Sequence, residues 1–310
     1  MKARKLIWPA IGIGAVIFSI RLLYNELGGL SLDDLGDSLA AIPASGWVLS
    51  GLCTIAAYAA LAGYDHVALL HLRRRLHWFF ITVCSFTTYA VAHNIGASVF
   101  SGAVIRYRAY SSRGLTGREI GVLVAFCSLT FALGVILLTG IVLVAEPDIT
   151  ERFVDILPTS LSASTGAALL CLVALYLLGS WLELKPVEVM GFEIHYPRLP
   201  IALRQLTIAP LELIAAGAIL YFVLPAQGNP GFVVVLGIFL ISFSIALLSH
   251  APGGVGVLEL VFITGLPEMD STAVLAALLV FRLFYLIIPF ILSLPVILLF
   301  ERAQYDVPET

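Results

Sequence analysis

Charge is scarce in this chain. Only 12% of its 310 residues are charged and 60% are hydrophobic, whereas soluble domains carry roughly 25% charged residues. With a mean hydropathy of +1.02, that shortage excludes a soluble globular protein. No polar stretch is long enough to form a separate soluble domain. Cys53, Cys84, Cys127 and Cys171 all lie in apolar runs without metal-ligand spacing, so they read as small core or lipid-facing residues. The histidines form no zinc-type cluster. Walker A, Gly-x-Ser-x-Gly and His-Glu-x-x-His patterns are missing. The glycines at 253, 254 and 256 lack the strand context and third glycine of a dinucleotide site. These absences argue against an enzyme, and no cofactor or metal is expected. The net charge of −3 says little by itself; the distribution of charge along the loops carries the information.

What is present is a series of apolar runs. A spanning helix needs about 20 apolar residues, and about eight segments qualify: 6–23, 46–70, 78–105, 120–145, 161–184, 201–224, 231–265 and 273–300. The expected fold is an all-α polytopic membrane protein, with 1–310 as one transmembrane domain. The first run follows Lys2, Arg4 and Lys5. It is too long for a signal peptide and has no nearby A-x-A site, so it reads as an uncleaved span. Apolar residues at 32, 35, 39 and 42 mark a short surface helix in the acidic connector 25–44. The connector 185–200 reads as a polar loop.

Two runs, 78–105 and 231–265, are broken by Gly96 and Gly102 and by Pro252, Gly253, Gly254 and Gly256. Backbone leaves the helix at membrane depth only where it is buried in protein or lines a wet cavity. Interrupted segments in both halves of a chain point to a transporter's binding site; irregular packing helices are the plainer reading. Lys and Arg in short loops mark the cytoplasm. The basic N-terminus, the loop with Arg73, Arg74 and Arg75, and the cluster Arg106, Arg108, Arg113 and Arg118 fall inside. The acidic connectors 25–44 and 146–155, and Glu268 with Asp270, fall outside. Both termini are then cytoplasmic. The broken segments become re-entrant hairpins entering from opposite faces, as an inverted repeat would give, although no sequence identity between the halves accompanies it.

Asp65, Glu212, Glu259 and Arg282 lie within or beside apolar runs, where an unpaired ionisable group costs roughly 2.5–3.5 kcal/mol on insertion scales. Asp65 reads either as a cap on Arg73, Arg74 and Arg75 or as part of a polar cavity. Glu212 and Arg282 read either as a structural ion pair or as members of that cavity; Glu259 follows the glycine run. Arg106 and Arg108 alternate with Tyr107 and Tyr110. The arginine fork suits phosphate and tyrosines suit the headgroup layer, while topology alone would also account for the arginines. His93 and His250, beside the breaks, read as packing residues.

These residues resemble a known family. The stretches 63–69 (GYDHVAL), 101–116 (SGAVIRYRAYSSRGLT), 250–259 (HAPGGVGVLE) and 281–289 (FRLFYLIIP) are similar, in the same order, to one type of transmembrane domain. It is the N-terminal flippase domain of bacterial lysylphosphatidylglycerol synthetases, the multiple peptide resistance factor, with its stand-alone YbhN-like relatives. The resemblance implies that an aminoacylated phospholipid, such as lysyl-phosphatidylglycerol, is moved between leaflets of the bacterial cytoplasmic membrane, giving resistance to cationic antimicrobial peptides. It carries charged positions onto Asp65, Arg106, Glu212, Glu259 and Arg282. Full-length members continue into a soluble aminoacyl-transferase domain, whereas this sequence stops at Thr310. The partners it implies are the membrane, a phospholipid substrate and a separate lipid aminoacyl-transferase, with a homo-oligomer left open and no nucleic acid. In the expected mechanism Arg106, helped by Arg108, holds the phosphate at the cytoplasmic mouth. Glu212 and Glu259 take the amines, with Arg282 as their resting counter-ion. Two other classes remain. One is an accessory or scaffold subunit of a lipid-modifying enzyme, for which Ala59 and Gly63 would supply a helix-packing surface. The other is a headgroup-modifying enzyme, which no nucleophile or metal constellation supports.

Overall fold

The computed structural model describes residues 32–95, 98–153, 163–183, 187–189, 192–194, 196–249 and 254–305. The first apolar run, 6–23, lies outside them, as do Gly96, His250, Pro252 and Gly253. In lipid every backbone N–H and C=O needs an internal partner, so apolar runs of spanning length fold as helices. Helix α1 (Leu32–Ala41) forms in the acidic connector and α2 (Ala44–His71) follows Pro43. Helices α3 (Trp78–Ile95) and α4 (Ser98–Ser111) make the first broken segment. Helix α5 (Gly117–Ala145) starts at a capping box: the Glu119 N–H donates to the Thr116 hydroxyl at 3.3 Å and the Thr116 N–H to the Glu119 carboxylate at 2.8 Å. A 3₁₀ turn (Pro147–Phe153), α6 (Ala163–Trp181), strands β1 (Val187–Val189) and β2 (Phe192–Ile194), and α7 (Leu199–Tyr221) come next. Helices α8 (Phe232–Ser249) and α9 (Val257–Gly265) make the second broken segment. Helix α10 (Ser271–Phe281), a π turn (Arg282–Ile287) and α11 (Ile288–Tyr305) complete the described chain.

Five described stretches are long and apolar enough to cross a membrane: Ala44–His71, Gly117–Ala145, Ala163–Trp181, Leu199–Tyr221 and Ser271–Phe300. Together with the two broken segments they form an all-α polytopic membrane protein. The small departure is the connector 185–200, where β1 and β2 pair antiparallel. Alternation explains it: Val187 pairs with Ile194 and Val189 with Phe192, leaving Glu188 opposite Glu193 on the other face.

Helices α2 and α7 run antiparallel through the core. Near one end the Ser50 hydroxyl donates to the Ile219 carbonyl at 2.8 Å; further along, a Cβ on Gly63 would stand 3.0 Å from Ile208 Cγ2. Gly63 therefore packs inside the fold. Helix α5 meets its neighbours at glycines. A Cβ on Gly134 would lie 2.6 Å from the Ala209 Cβ, and one on Gly166 would lie 2.9 Å from the Gly140 carbonyl oxygen. Lipid tails are as apolar as the helices, so close backbone approach supplies much of the attraction. Leu172, Leu175 and Trp181 of α6, and Ile291, Leu298 and Leu299 of α11, are exposed and form lipid-facing surface.

The π turn ends just before Pro289, which has no N–H and so cannot donate to the Tyr285 carbonyl four residues back. The Tyr58 hydroxyl of α2 donates to that carbonyl instead, at 3.0 Å. Asn94 of α3 donates to the Leu286 carbonyl at 3.0 Å. The irregular turn is thereby tied to both neighbouring helices, and its side chains are held against the centre of the bundle.

Candidate functional site

Four helices converge on Asp65. It lies on the inner face of α2 and is fully buried. Arg106 of α4 forks onto it, with Nη2 donating to Oδ1 at 2.6 Å and Nε to Oδ2 at 3.2 Å. One turn further along α4, the Tyr110 hydroxyl donates to Oδ2 at 2.8 Å, and the Cys127 thiol of α5 reaches Oδ1 at 3.5 Å. The Arg106 guanidinium lies over the Tyr89 ring of α3, 4.8 Å from its centroid. Asp65 is thus not a cap on Arg73, Arg74 and Arg75: its side chain points into the bundle. Arg106 is only 5% exposed, so it is no open phosphate holder at a mouth, and a phosphate would have to displace Asp65. Arg108 does not join it. Residues two apart stand on opposite sides of a helix, and Arg108 is exposed. The two tyrosines, three residues apart on α4, differ in burial instead. Tyr107 is exposed, while Tyr110 is fully buried with its hydroxyl on Asp65, so Tyr110 does not serve the headgroup layer expected of both.

A second ion pair joins the second broken segment to the π turn. Arg282, its first residue, donates to Glu259 Oε1 from Nη2 at 2.6 Å and from Nε at 3.0 Å. The Gly256 N–H donates to Oε2 at 2.7 Å, so Glu259 reaches back to the start of its own helix, where the dipole favours a carboxylate. Gly254 and Gly256 have φ of 64° and 82°, a conformation open to glycine, and they are true breaks. Gly102 is not one. It sits inside α4, where a Cβ would lie 3.1 Å from Thr88 Cγ2, so it lets α3 and α4 pack closely.

Glu212 stands between the two pairs. It lies about 20 Å along α7 from Leu199, counting 1.5 Å per residue, and is 1% exposed. Its partners are hydroxyls: Tyr285 Oη donates to Oε1 at 2.6 Å and Tyr64 Oη to Oε2 at 3.3 Å. Arg282 is therefore the counter-ion of Glu259 and not of Glu212. Tyr64 meets the Tyr89 ring edge-on at 6.1 Å, and Tyr285 stacks on His93 at 5.2 Å. The chain Arg106, Tyr89, Tyr64, Glu212, Tyr285 runs from the first pair to the turn that bears the second. His93 Nδ1 and Thr88 Oγ1, both on α3, are buried without a hydrogen-bond partner among the described residues. Tyr64 and Tyr285 sit inside the family-like stretches, but a tyrosine in an apolar run carries no signal of which carboxylate it serves. Among the described residues no cluster could hold a metal ion.

Broken core helices and paired charges buried at depth define a polytopic membrane protein with a polar centre. The chain belongs to the YbhN-like family. It is 32% identical over 255 residues to the inner membrane protein YbhN of Escherichia coli, covering 80% of this chain and 77% of that one. It is 30% identical over 291 residues to the Synechocystis protein slr0712, covering 93% and 89%. A phosphatidylglycerol lysyltransferase of Staphylococcus haemolyticus is 24% identical over 318 residues, covering 98% of this chain but 36% of the enzyme. No family profile matches the chain.

Proposed function

We propose that this protein is a phospholipid flippase that moves an aminoacylated lipid, such as lysyl-phosphatidylglycerol, between leaflets of the bacterial cytoplasmic membrane. The observation that carries the reading is Glu212, a carboxyl group at the centre of the bundle with only hydroxyl partners among the described residues, set between a buried and a partly buried ion pair. Stability alone does not call for such a centre, since buried ion pairs often add nothing over apolar residues of similar volume. A lysyl headgroup brings two amines and a phosphate. Glu212 is the first acceptor for an ammonium, because no cation holds it among the described residues. A second ammonium would take Glu259 by displacing Arg282, and the freed guanidinium would turn to the phosphate. Arg106 engages phosphate only by a similar exchange with Asp65. His93 Nδ1 and Thr88 Oγ1, without a partner among the described residues, call for water or headgroup partners, which supports a wet path along α3. Hairpins opening from opposite faces, with both termini cytoplasmic, complete the proposal. The lipid named in the lysyltransferase relative supports the substrate, and the chain acts as a transporter rather than an enzyme. Outward movement of such a lipid would make the surface less negative and oppose cationic peptides.

The test is reconstitution of the full chain in vesicles carrying lysyl-phosphatidylglycerol in one leaflet, with an impermeant amine reagent scoring the other. Glu212→Gln keeps the shape and removes the charge. It should slow transfer at least tenfold, on the order of one lost charged hydrogen bond, with unchanged thermal unfolding. A parental rate in Glu212→Gln, or no transfer by the parental protein, refutes the proposal.

A further inference from the structure

A cavity of about 400 Å³ opens where the end of α2 meets the start of α7, lined by Leu70, Arg73, Arg74, Arg75 and Arg198. Ligand pockets span about 300–1,000 Å³. Four guanidiniums border it. Arg74 Nε donates to Glu119 at 2.7 Å, and Arg73, Arg75 and Arg198 make no side-chain hydrogen bond or ion pair among the described residues. Like charges gathered this closely repel one another, and an anion in the cavity would relieve them.

Topology asks for positive charge in this loop, but not for a concavity or for the backbone that builds it. Helix α2 ends in a Schellman motif, with the Arg74 N–H on the Leu69 carbonyl at 2.9 Å and the Arg73 N–H on the Leu70 carbonyl at 3.1 Å. The left-handed position of that motif usually holds glycine. Here it holds Arg73 at φ 54°, a strained conformation for a residue with a Cβ. Strain kept in a residue that lines a cavity points to use. Directly beyond the loop, Trp78 and Phe79 are 51% and 70% exposed. Exposed aromatic residues beside a basic turn mark the headgroup level of a bilayer.

We infer that this cavity binds the phosphate of an anionic phospholipid headgroup. The arginine forks take the phosphate oxygens, and Leu70 gives the glycerol an apolar floor. Basic pockets between spanning helices suit such headgroups. None of these residues belongs to the line from Asp65 through Glu212 to Glu259, and binding here requires no translocation, so the two proposals fail independently.

The delipidated full-length protein in detergent would be titrated with short-chain phosphatidylglycerol, short-chain phosphatidylcholine or inorganic phosphate, and bound molecules counted by native mass spectrometry. Phosphatidylglycerol should saturate, with the other two at least tenfold weaker. Arg73→Gly relieves the backbone, so it should unfold at the same or a higher temperature while weakening phosphatidylglycerol about fivefold. Adding Arg75→Ala and Arg198→Ala should bring the loss to about a hundredfold. Unchanged phosphatidylglycerol binding in the folded Arg73→Gly and triple variants overturns the cavity assignment. Inorganic phosphate binding as tightly as phosphatidylglycerol overturns the lipid assignment.

Discussion

Replacing one half of the Asp65–Arg106 pair should harm the protein more than replacing the whole cluster. Asp65→Leu takes the carboxylate from the Arg106 guanidinium, which is only 5% exposed in the parent, and leaves it over the Tyr89 ring. Two charge-assisted hydrogen bonds at 2.6 and 3.2 Å are lost, each worth about 1.5–3 kcal/mol when a charged group is involved. That sum agrees with the cost of about 3–5 kcal/mol for stranding one member of a buried pair. Arg106→Met strands Asp65 in the same way, though Tyr110 and Cys127 still donate to it, so it should cost less. The combination Asp65→Leu, Arg106→Met and Tyr110→Phe removes the charges and the hydroxyl together. It should lie near the parent, or up to about 4 kcal/mol above it. Equilibrium unfolding in mixed micelles measures all four proteins, and vesicle transfer then separates stability from function: the apolar triple variant should be folded and inert. A cost under about 1 kcal/mol for Asp65→Leu, or a triple variant as unstable as the sum of its parts, would refute the reasoning.

Tyr58→Phe removes the donor to the Tyr285 carbonyl and should cost about 1–3 kcal/mol, read by the same unfolding measurement; parental stability would show the carbonyl satisfied otherwise. Gly166→Ala places a methyl 2.9 Å from the Gly140 carbonyl oxygen and should cost about 1–3 kcal/mol by forcing α5 and α6 apart, measured as a lowered midpoint. The hydrogen bond from Arg152 holds the Glu268 carboxyl below its ordinary value of 4.5. A depressed folded value means that its stabilisation is complete above pH 4.5, fades as pH falls through the folded value and is absent below it. Glu268 is exposed and Arg152 partly so, so Glu268→Gln should cost at most about 1 kcal/mol at neutral pH, and its unfolding curve should merge with the parent's in acid.

The spans were legible because spanning length and hydropathy are one-dimensional properties. The described helices match the expected runs, and Gly254 and Gly256 broke the second one where a left-handed backbone was needed. Gly102 was misread because glycine also serves close packing, and only the presence of Thr88 across from it separates the two uses. The charged residues stood out for their cost in lipid, yet their pairing was not legible. Arg282 is equally deep whether it faces Glu212 or Glu259, and the choice is made by the π turn that the sequence does not announce. The tyrosines around Glu212 and Asp65 were missed because the hydroxyl matters only once neighbouring helices bring a carboxylate to it.

The π turn has a consequence for the last span as a piece of machinery. Such a turn amounts to one residue more than a regular helix would use over the same length, and each residue of an α-helix advances the face by about 100°. The halves before and after Arg282–Ile287 are therefore phased separately, like two gears on a shaft with a slipped key. Closing the extra residue back into the helix would swing one half around its axis without altering a single side chain, and either Arg282 would leave Glu259 or Tyr285 would leave Glu212.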